Sequence, residues 1–410
     1  MKAETLFYII IAILVVNFIF DQVLDYVNAK RFSDPIPSKL RDVYDDEEYK
    51  KSQAYKRERY KFGVAFSSVM FVATILFFFL DGFAFADRLA RAYSDKEIVM
   101  ALVFFGMIML GSSILSMPFE YYSTFVIEEK YGFNKSTKAT FFMDKLKGLT
   151  VGAVMGGLLL SAIIWFYQST GQYFWLYAWG AVTVFTVFMN LFYSRLIVPI
   201  FNKQTPLEEG SLRTQIENYS ATVGFSLDKI FVIDGSKRST KANAYFSGFG
   251  REKRVTLFDT LINDLDENEV VAVLAHEVGH YKRKHIIFNL AAAILSTGFT
   301  FWLLSLFIDA PLLSNALNVS EPSFHVGVVA FGVLYAPISV VTGLIMNSIS
   351  RKFEYQADDY AKNTYEKQPM ISALKKLSKN SLSNLTPHPL YVAVHYSHPT
   401  LLQRVENLED

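Results

Sequence analysis

The stretch Ala275-His276-Glu277-Val278-Gly279-His280-Tyr281-Lys282-Arg283-Lys284-His285 places three histidines and a glutamate directly before an apolar run that begins at Ile286. Its first part, His276 to His280, is an HExxH sequence. It is preceded by a helix-start signal: Asp266 in the N-cap position, Glu269 three residues on, then Val270, Val271, Val273 and Leu274. At about 100° per residue, His276 and His280 lie about 40° apart on such a helix. Both imidazoles can therefore reach one metal at about 2.0–2.1 Å, with Glu277 beside them to polarise a water. A helix that buries two histidines and a glutamate among apolar residues would be costly without a metal, so one zinc ion per chain is expected. His285, nine residues after His276, would fall about 180° round the same helix. With Lys282, Arg283 and Lys284 it reads as a polar collar where the helix meets the membrane.

The surroundings explain why a membrane enters at all. The chain has 410 residues, 51% of them hydrophobic, and a mean hydropathy of +0.23, too apolar for an ordinary soluble domain. Apolar runs long enough to cross a bilayer lie at about 5–23, 62–80, 98–117, 149–167, 173–193, 286–308 and 325–347. The first lacks a basic N-terminal cluster and an A-x-A cleavage site and is expected to stay as an anchor. In the fourth, Gly152 and Gly156 admit either close approach of a neighbouring helix or a chance pair in a glycine-tolerant helix.

Lys and Arg crowd the loops 24–61 and 118–148, whereas 168–172 and 309–324 have none. The N-terminus should then lie outside, with 194–285 and 348–410 both cytoplasmic. Balanced charge, 40 basic against 39 acidic residues, gives no case for nucleic acid, and the absence of cysteine excludes disulfides, thiolate metal sites and a cysteine nucleophile. The expected organisation is mainly α: spans one to five with their cytoplasmic loops (1–200), the first half of a zinc peptidase domain (201–285), spans six and seven (286–347) and its second half (348–410).

An HExxH pair needs a third protein ligand, and the segment after the last span supplies Glu354 on the same side of the membrane. On a helix, Asp358 shares the face of Glu354 at i, i+4, where it would accept from a ligand histidine and fix its tautomer. Asn243-Ala244-Tyr245-Phe246, turned through Gly248 and Gly250 into Arg254-Val255-Thr256-Leu257-Phe258, has the pattern of an edge hairpin that could take a peptide as an added strand. His325, His388 and His395 are left without roles.

These pieces together resemble the type I CAAX prenyl proteases, membrane zinc peptidases of the gluzincin group. The resemblance covers the whole chain and rests on HEVGH at 276–280 and Glu354 to Asp358 within RKFEYQAD. It rests also on KRSTKANAYFSGFG at 237–250, FVIEEKYGFN at 125–134 and SHPTLLQRV at 397–405. It implies a seven-transmembrane helical barrel enclosing a chamber, with the zinc site facing it, and a protein substrate, prenylated or not, within a lipid bilayer. It implies that His398 contacts substrate near the zinc, that Asn243 contacts the substrate backbone, and that Arg404 supports the His398 loop. The length and the Glu409-Asp410 ending suggest a compact bacterial relative in the inner membrane; a eukaryotic member would sit in the endoplasmic reticulum. Two other readings remain at this point: a quality-control protease with no prenyl requirement, and a seven-helix transporter or receptor with a structural metal.

Overall fold

The computed structural model describes residues 1–225, 229–248 and 254–410. Its long helices start where the sequence supplies caps. Asp45 and Glu48 close a capping box at α2 (Asp46–Phe79), and Thr137 caps α5 (Lys138–Thr170). Among the described residues, six continuous helical stretches are long and apolar enough to cross a membrane. One of them, Lys138–Phe201, folds back at Gly171–Tyr173 into α5 and α6 (Phe174–Leu196), so the stretches hold all seven expected spans. The others are α1 (Ala3–Lys30), α2, α4 (Glu97–Tyr122), α11 (His285–Ser305) and α13 (Phe324–Thr364).

Packing joins these helices into a closed ring. Phe18 stacks on Phe71 with centroids 4.1 Å apart, linking α1 to α2, and Phe66 meets Phe119 at 5.1 Å, linking α2 to α4. Tyr121 meets Phe141 across α4 and α5, and α5 lies along α6. The Trp179 indole donates to the Ile294 carbonyl at 2.8 Å, from α6 to α11, and Thr300 donates to the Tyr335 hydroxyl at 2.9 Å, from α11 to α13. α13 then returns against α1. The result is a seven-helix barrel.

One end of the barrel is plugged. Leu6, Phe83, Phe104, Phe174, Leu304, Leu313 and Phe324 form a single buried cluster. It gathers one end of the spans with two short helices, α3 (Gly82–Tyr93) and α12 (Pro311–Ala316), that form within loops read as simple connections. Beside this cluster His325, 2% exposed, lies with Nε2 2.7 Å from Asp87 Oδ1, and Arg91 Nε donates to Asp87 Oδ2 at 2.8 Å. This is the structural use of the unassigned His325. Gly152 and Gly156 are exposed with nothing within 4 Å of a built Cβ, so the close helix approach is not what they serve.

The other end carries a four-stranded sheet of order β1-β2-β4-β3, made of β1 (Gln204–Pro206), β2 (Ile230–Ile233), β3 (Ala244–Ser247) and β4 (Arg254–Phe258). The expected hairpin is present as antiparallel β3 and β4; its turn at 249–253, with Gly250, lies outside the described residues. On the sheet pack α8 (Ser211–Thr222), α9 (Asp259–Asp264) and α10 (Glu267–Lys282); α14 (Lys367–Asn380) lies on α10, α16 (Leu401–Glu409) on α13 and α14, α15 (Pro389–His395) on α13 and α1, and α7 (Val198–Phe201) on α5 and α6. α13 is 41 residues long and passes the expected 347/348 boundary without a break, so the last span is itself the helix that carries Glu354 and Asp358.

The loop motifs fasten the sheet end to the spans. Glu128, at the close of a π-helical turn (Ser123–Glu128), accepts from the Tyr55 hydroxyl at 2.7 Å and from Lys241 Nζ at 2.8 Å. Arg238 forms a bidentate pair with Asp144 of α5, at 2.7 and 2.8 Å. The strand-forming segment is thus bolted to α2, α4 and α5 by charge-assisted bonds of the stronger kind.

Candidate active site

α10 starts at Asp266, whose carboxylate accepts from the Glu269 amide while Glu269 accepts from the Asp266 amide, the expected capping box. The helix is buried almost throughout because it is wedged among the sheet, α13 and α14. Gly279 allows this: a Cβ there would lie 3.0 Å from Tyr360 Cβ, 3.1 Å from Ala357 Cα and 3.2 Å from the Ala357 carbonyl oxygen. The two helices therefore approach at backbone distance, one turn from the histidines on one side and within one turn of Glu354 and Asp358 on the other. Gly279→Ala should force the helices apart by a few tenths of an ångström and destabilise by about 1–3 kcal/mol, as overpacking does. A thermal melt in detergent and a metal titration check this, and an unchanged melt with unchanged affinity would refute it.

The crossing brings three donors together. His276 Nε2 and His280 Nε2 are 3.1 Å apart, His276 Nε2 is 3.4 Å from Glu354 Oε2, and His280 Nε2 is 3.2 Å from Glu354 Oε1. Bonds of about 2.0–2.1 Å to a tetrahedral ion separate its ligands by about 3.3 Å, so the triangle has the size of a metal's coordination face. The donor chemistry agrees. Glu354 Oε2 is buried and makes no hydrogen bond among the described residues, with His398 Nδ1 2.8 Å away. Burial and the Arg404 charge both oppose a proton on His276, but Asp358 and Glu354 outweigh them and raise its pKa to about 9. The pocket is thus built to hold positive charge.

Behind His276 stands an ion pair. Its Nδ1 lies 2.8 Å from Asp358 Oδ1; Asp358 is wholly buried and accepts from Arg404 Nη2 at 2.6 Å and from Nε at 2.9 Å. Asp358 and Arg404 therefore sit where the sequence suggests, with Arg404 on the carboxylate rather than merely on its loop. It is placed by α16, whose cap is Thr400 with Gln403. Glu277 is half-buried beside the triangle. The His398 side chain is 62% exposed, and Arg351 holds the preceding segment through the carbonyls of Val392, Ala393 and Tyr396, at 3.3, 3.3 and 2.7 Å.

His285 departs from the sequence reading. α10 ends at Lys282, Lys284 takes the left-handed conformation (φ +62°), and a new helix starts at His285. The 180° projection assumed one continuous helix; the break turns His285 back toward the site. It is 3% exposed, with Nδ1 3.0 Å from His280 Nδ1 and Nε2 2.9 Å from Gln356 Oε1. The basic run Lys282-Arg283-Lys284 is itself a helix C-terminus signal and was the clue available. Gly279, Arg351 and Gln356 also escaped the sequence reading.

The edge strand is real, and only part of it is free. The Asn243 carbonyl accepts from the Phe258 amide at 3.1 Å. By antiparallel alternation Tyr245 then pairs with β4, while Ala244 and Phe246 turn their backbone groups to the open edge. The Asn243 carboxamide already accepts the Ala244 amide at 2.9 Å. Tyr245 is further occupied: its hydroxyl accepts from Ser194 of α6 at 3.4 Å. The segment leaves Phe246, which the sequence reading did not single out, with its backbone amide at the edge.

Two family profiles divide this chain. "CAAX prenyl protease N-terminal, five membrane helices" matches residues 25–203, and "Peptidase family M48" matches residues 206–410. The chain belongs to peptidase family M48. It is 35% identical to a CAAX prenyl protease 1 homolog of Oryza sativa, covering 98% of this chain and 96% of that protein. It is also 35% identical to CAAX prenyl protease 1 of Saccharomyces cerevisiae, covering 96% and 93%. A crystal structure of S. mikatae Ste24p superposes with a TM-score of 0.94 at 34% identity, covering 99% of both chains. This M48 chain is therefore a multi-pass membrane metallopeptidase that acts on protein substrates, with its helices arranged as a barrel around a chamber. The transporter and receptor readings fall away.

Proposed function

We propose that this M48 peptidase is a zinc endopeptidase in which His276, His280 and Glu354 hold one zinc ion, Glu277 is the general base, and His398 steadies the oxyanion. The observation that carries the reading is the donor triangle, with sides of 3.1, 3.2 and 3.4 Å. Bound zinc would supply Lewis acidity toward the scissile carbonyl and toward the attacking water. Glu277 takes the proton of that water and delivers it to the leaving amine. An imidazole N–H of His398 donates to the oxygen on which charge develops, and its exposure leaves it free to face substrate. Asp358 and Arg404 keep His276 oriented, so that Nε2 stays aimed at the ion. The substrate lies extended along β3 and is met by the Ala244 carbonyl and the backbone groups of Phe246, with Asn243 at the entry of the strand.

The basic loops support an orientation with the N-terminus outside and the peptidase parts, 201–285 and 348–410, in the cytoplasm. In a bacterium the membrane would be the inner one, in a eukaryote the endoplasmic reticulum. The substrates we propose are prenylated C-terminal tails, supported by the names of the relatives at 30–35% identity. Matched farnesylated and unmodified peptides, each ending in the same tail, test this. The farnesylated peptide should be cleaved with the higher kcat/KM, in a zinc-dependent way. Equal rates would overturn the prenyl requirement and favour a broader clearance role.

A further inference from the structure

Among the described residues, His280 has no carboxylate behind it. His276 Nδ1 faces Asp358, which is itself paired with Arg404, whereas His280 Nδ1 faces His285 Nδ1, at 3.0 Å. Two ring nitrogens at that distance bond only if one carries a proton and the other does not. The opposite face of His280 decides which. Its Nε2 lies 3.1 Å from His276 Nε2 and 3.2 Å from Glu354 Oε1, at a corner of the donor triangle. A ligating Nε2 must be unprotonated, so the proton of neutral His280 is on Nδ1 and is donated to His285 Nδ1. His285 then carries its own proton on Nε2, which is donated to Gln356 Oε1 at 2.9 Å. Every group in the chain has one consistent assignment.

We infer that His285 and Gln356 form a neutral tautomer relay that positions His280 as a metal ligand. The relay is held in place by packing: the His285 ring stacks on Phe353 with centroids 4.0 Å apart and planes 7° from parallel. Phe353 and Gln356 flank Glu354 on α13, so the residues that orient the second histidine are carried by the helix that brings the third ligand. Because the relay is neutral, it fixes the ring without adding a second negative charge beside the triangle, which would weaken the electrophilic character of the centre. Lys284 is the joint that makes this possible, since its left-handed turn aims His285 backward at His280.

The inference rests on the zinc reading, and metal binding by the wild-type chain controls for that. The test compares His285→Phe, which keeps a stacking ring but no acceptor, with His285→Asn, whose side-chain oxygen can accept where Nδ1 does. Gln356→Met, which removes the far end of the relay, is the third variant. Each is loaded with zinc, and its loss to a chelator is timed; each is also loaded with cobalt(II), and the visible absorption is recorded. His285→Phe should lose zinc about 10–100-fold faster, the usual effect of removing such a partner, with an altered cobalt spectrum and an unchanged thermal melt of the metal-free protein. Gln356→Met should shift in the same direction by less, and His285→Asn should return to within about 3-fold of wild type. Wild-type metal retention and spectrum in both His285→Phe and Gln356→Met would overturn the relay. So would His285→Asn failing as badly as His285→Phe, which would reduce His285 to packing. A wild-type chain that binds no zinc would bring down the zinc reading and this inference with it.

Discussion

Glu277→Gln should leave zinc bound at one ion per chain and lower kcat for peptide cleavage by about 10²–10⁴-fold, the usual contribution of a positioned general base. Glutamine keeps the size of the side chain and removes its basicity. The donor triangle does not include Glu277, so zinc content by elemental analysis and the melting temperature should match wild type. The substitution thereby separates chemistry from assembly. Cleavage at the wild-type rate would sink the assignment of Glu277, and loss of zinc would mean that it serves the metal rather than the water.

Arg404→Leu should produce the largest loss of stability. Asp358 is 0% exposed, and its two oxygens receive Arg404 Nη2 and Nε at 2.6 and 2.9 Å. Removing one partner of a buried pair leaves an uncompensated charge and typically costs about 3–5 kcal/mol, more than the pair itself contributes. A fall of that size in unfolding free energy is expected, together with weaker zinc binding as His276 loses its fixed partner. Arg404→Lys should rescue poorly, because an ammonium cannot span both oxygens. The double variant Arg404→Leu with Asp358→Asn should recover part of the loss, since the stranded charge is gone. A wild-type melt for Arg404→Leu alone would disprove the argument.

The residues that were legible from sequence are those whose meaning lies in local periodicity. The apolar runs reported the spans because length and composition suffice for that, and His276 and His280 share a face by helical spacing alone. Glu354 was found by need and by topology, with two crossings returning the chain to the same side. Gly279 was not legible, because its value is the absence of a Cβ opposite Ala357, a residue 78 positions away in sequence. His285 was misread for a different reason: a single left-handed residue at Lys284 reverses its direction, and lysine gives no hint of that conformation. Arg351 and Gln356 flank Glu354 in plain view, but their partners at 392–396 and at His285 become visible only once the chain has folded. The alternation at Tyr245 likewise depended on which residue of β3 pairs first with β4.

The uninterrupted α13 has a mechanical consequence. His325 is pinned at its plugged end by Asp87, and Glu354 lies 29 residues further along the same helix, roughly 44 Å at about 1.5 Å per residue. A tilt of about 5° about the pinned end would sweep Glu354 sideways by about 4 Å, more than the length of a metal–ligand bond. The seventh span is thus a lever whose short-range accuracy depends on its angle in the bilayer and on the bend set at Pro337, where the helix lacks one ladder hydrogen bond. Lipid thickness, which sets the tilt of long apolar helices, becomes a variable of the coordination geometry itself.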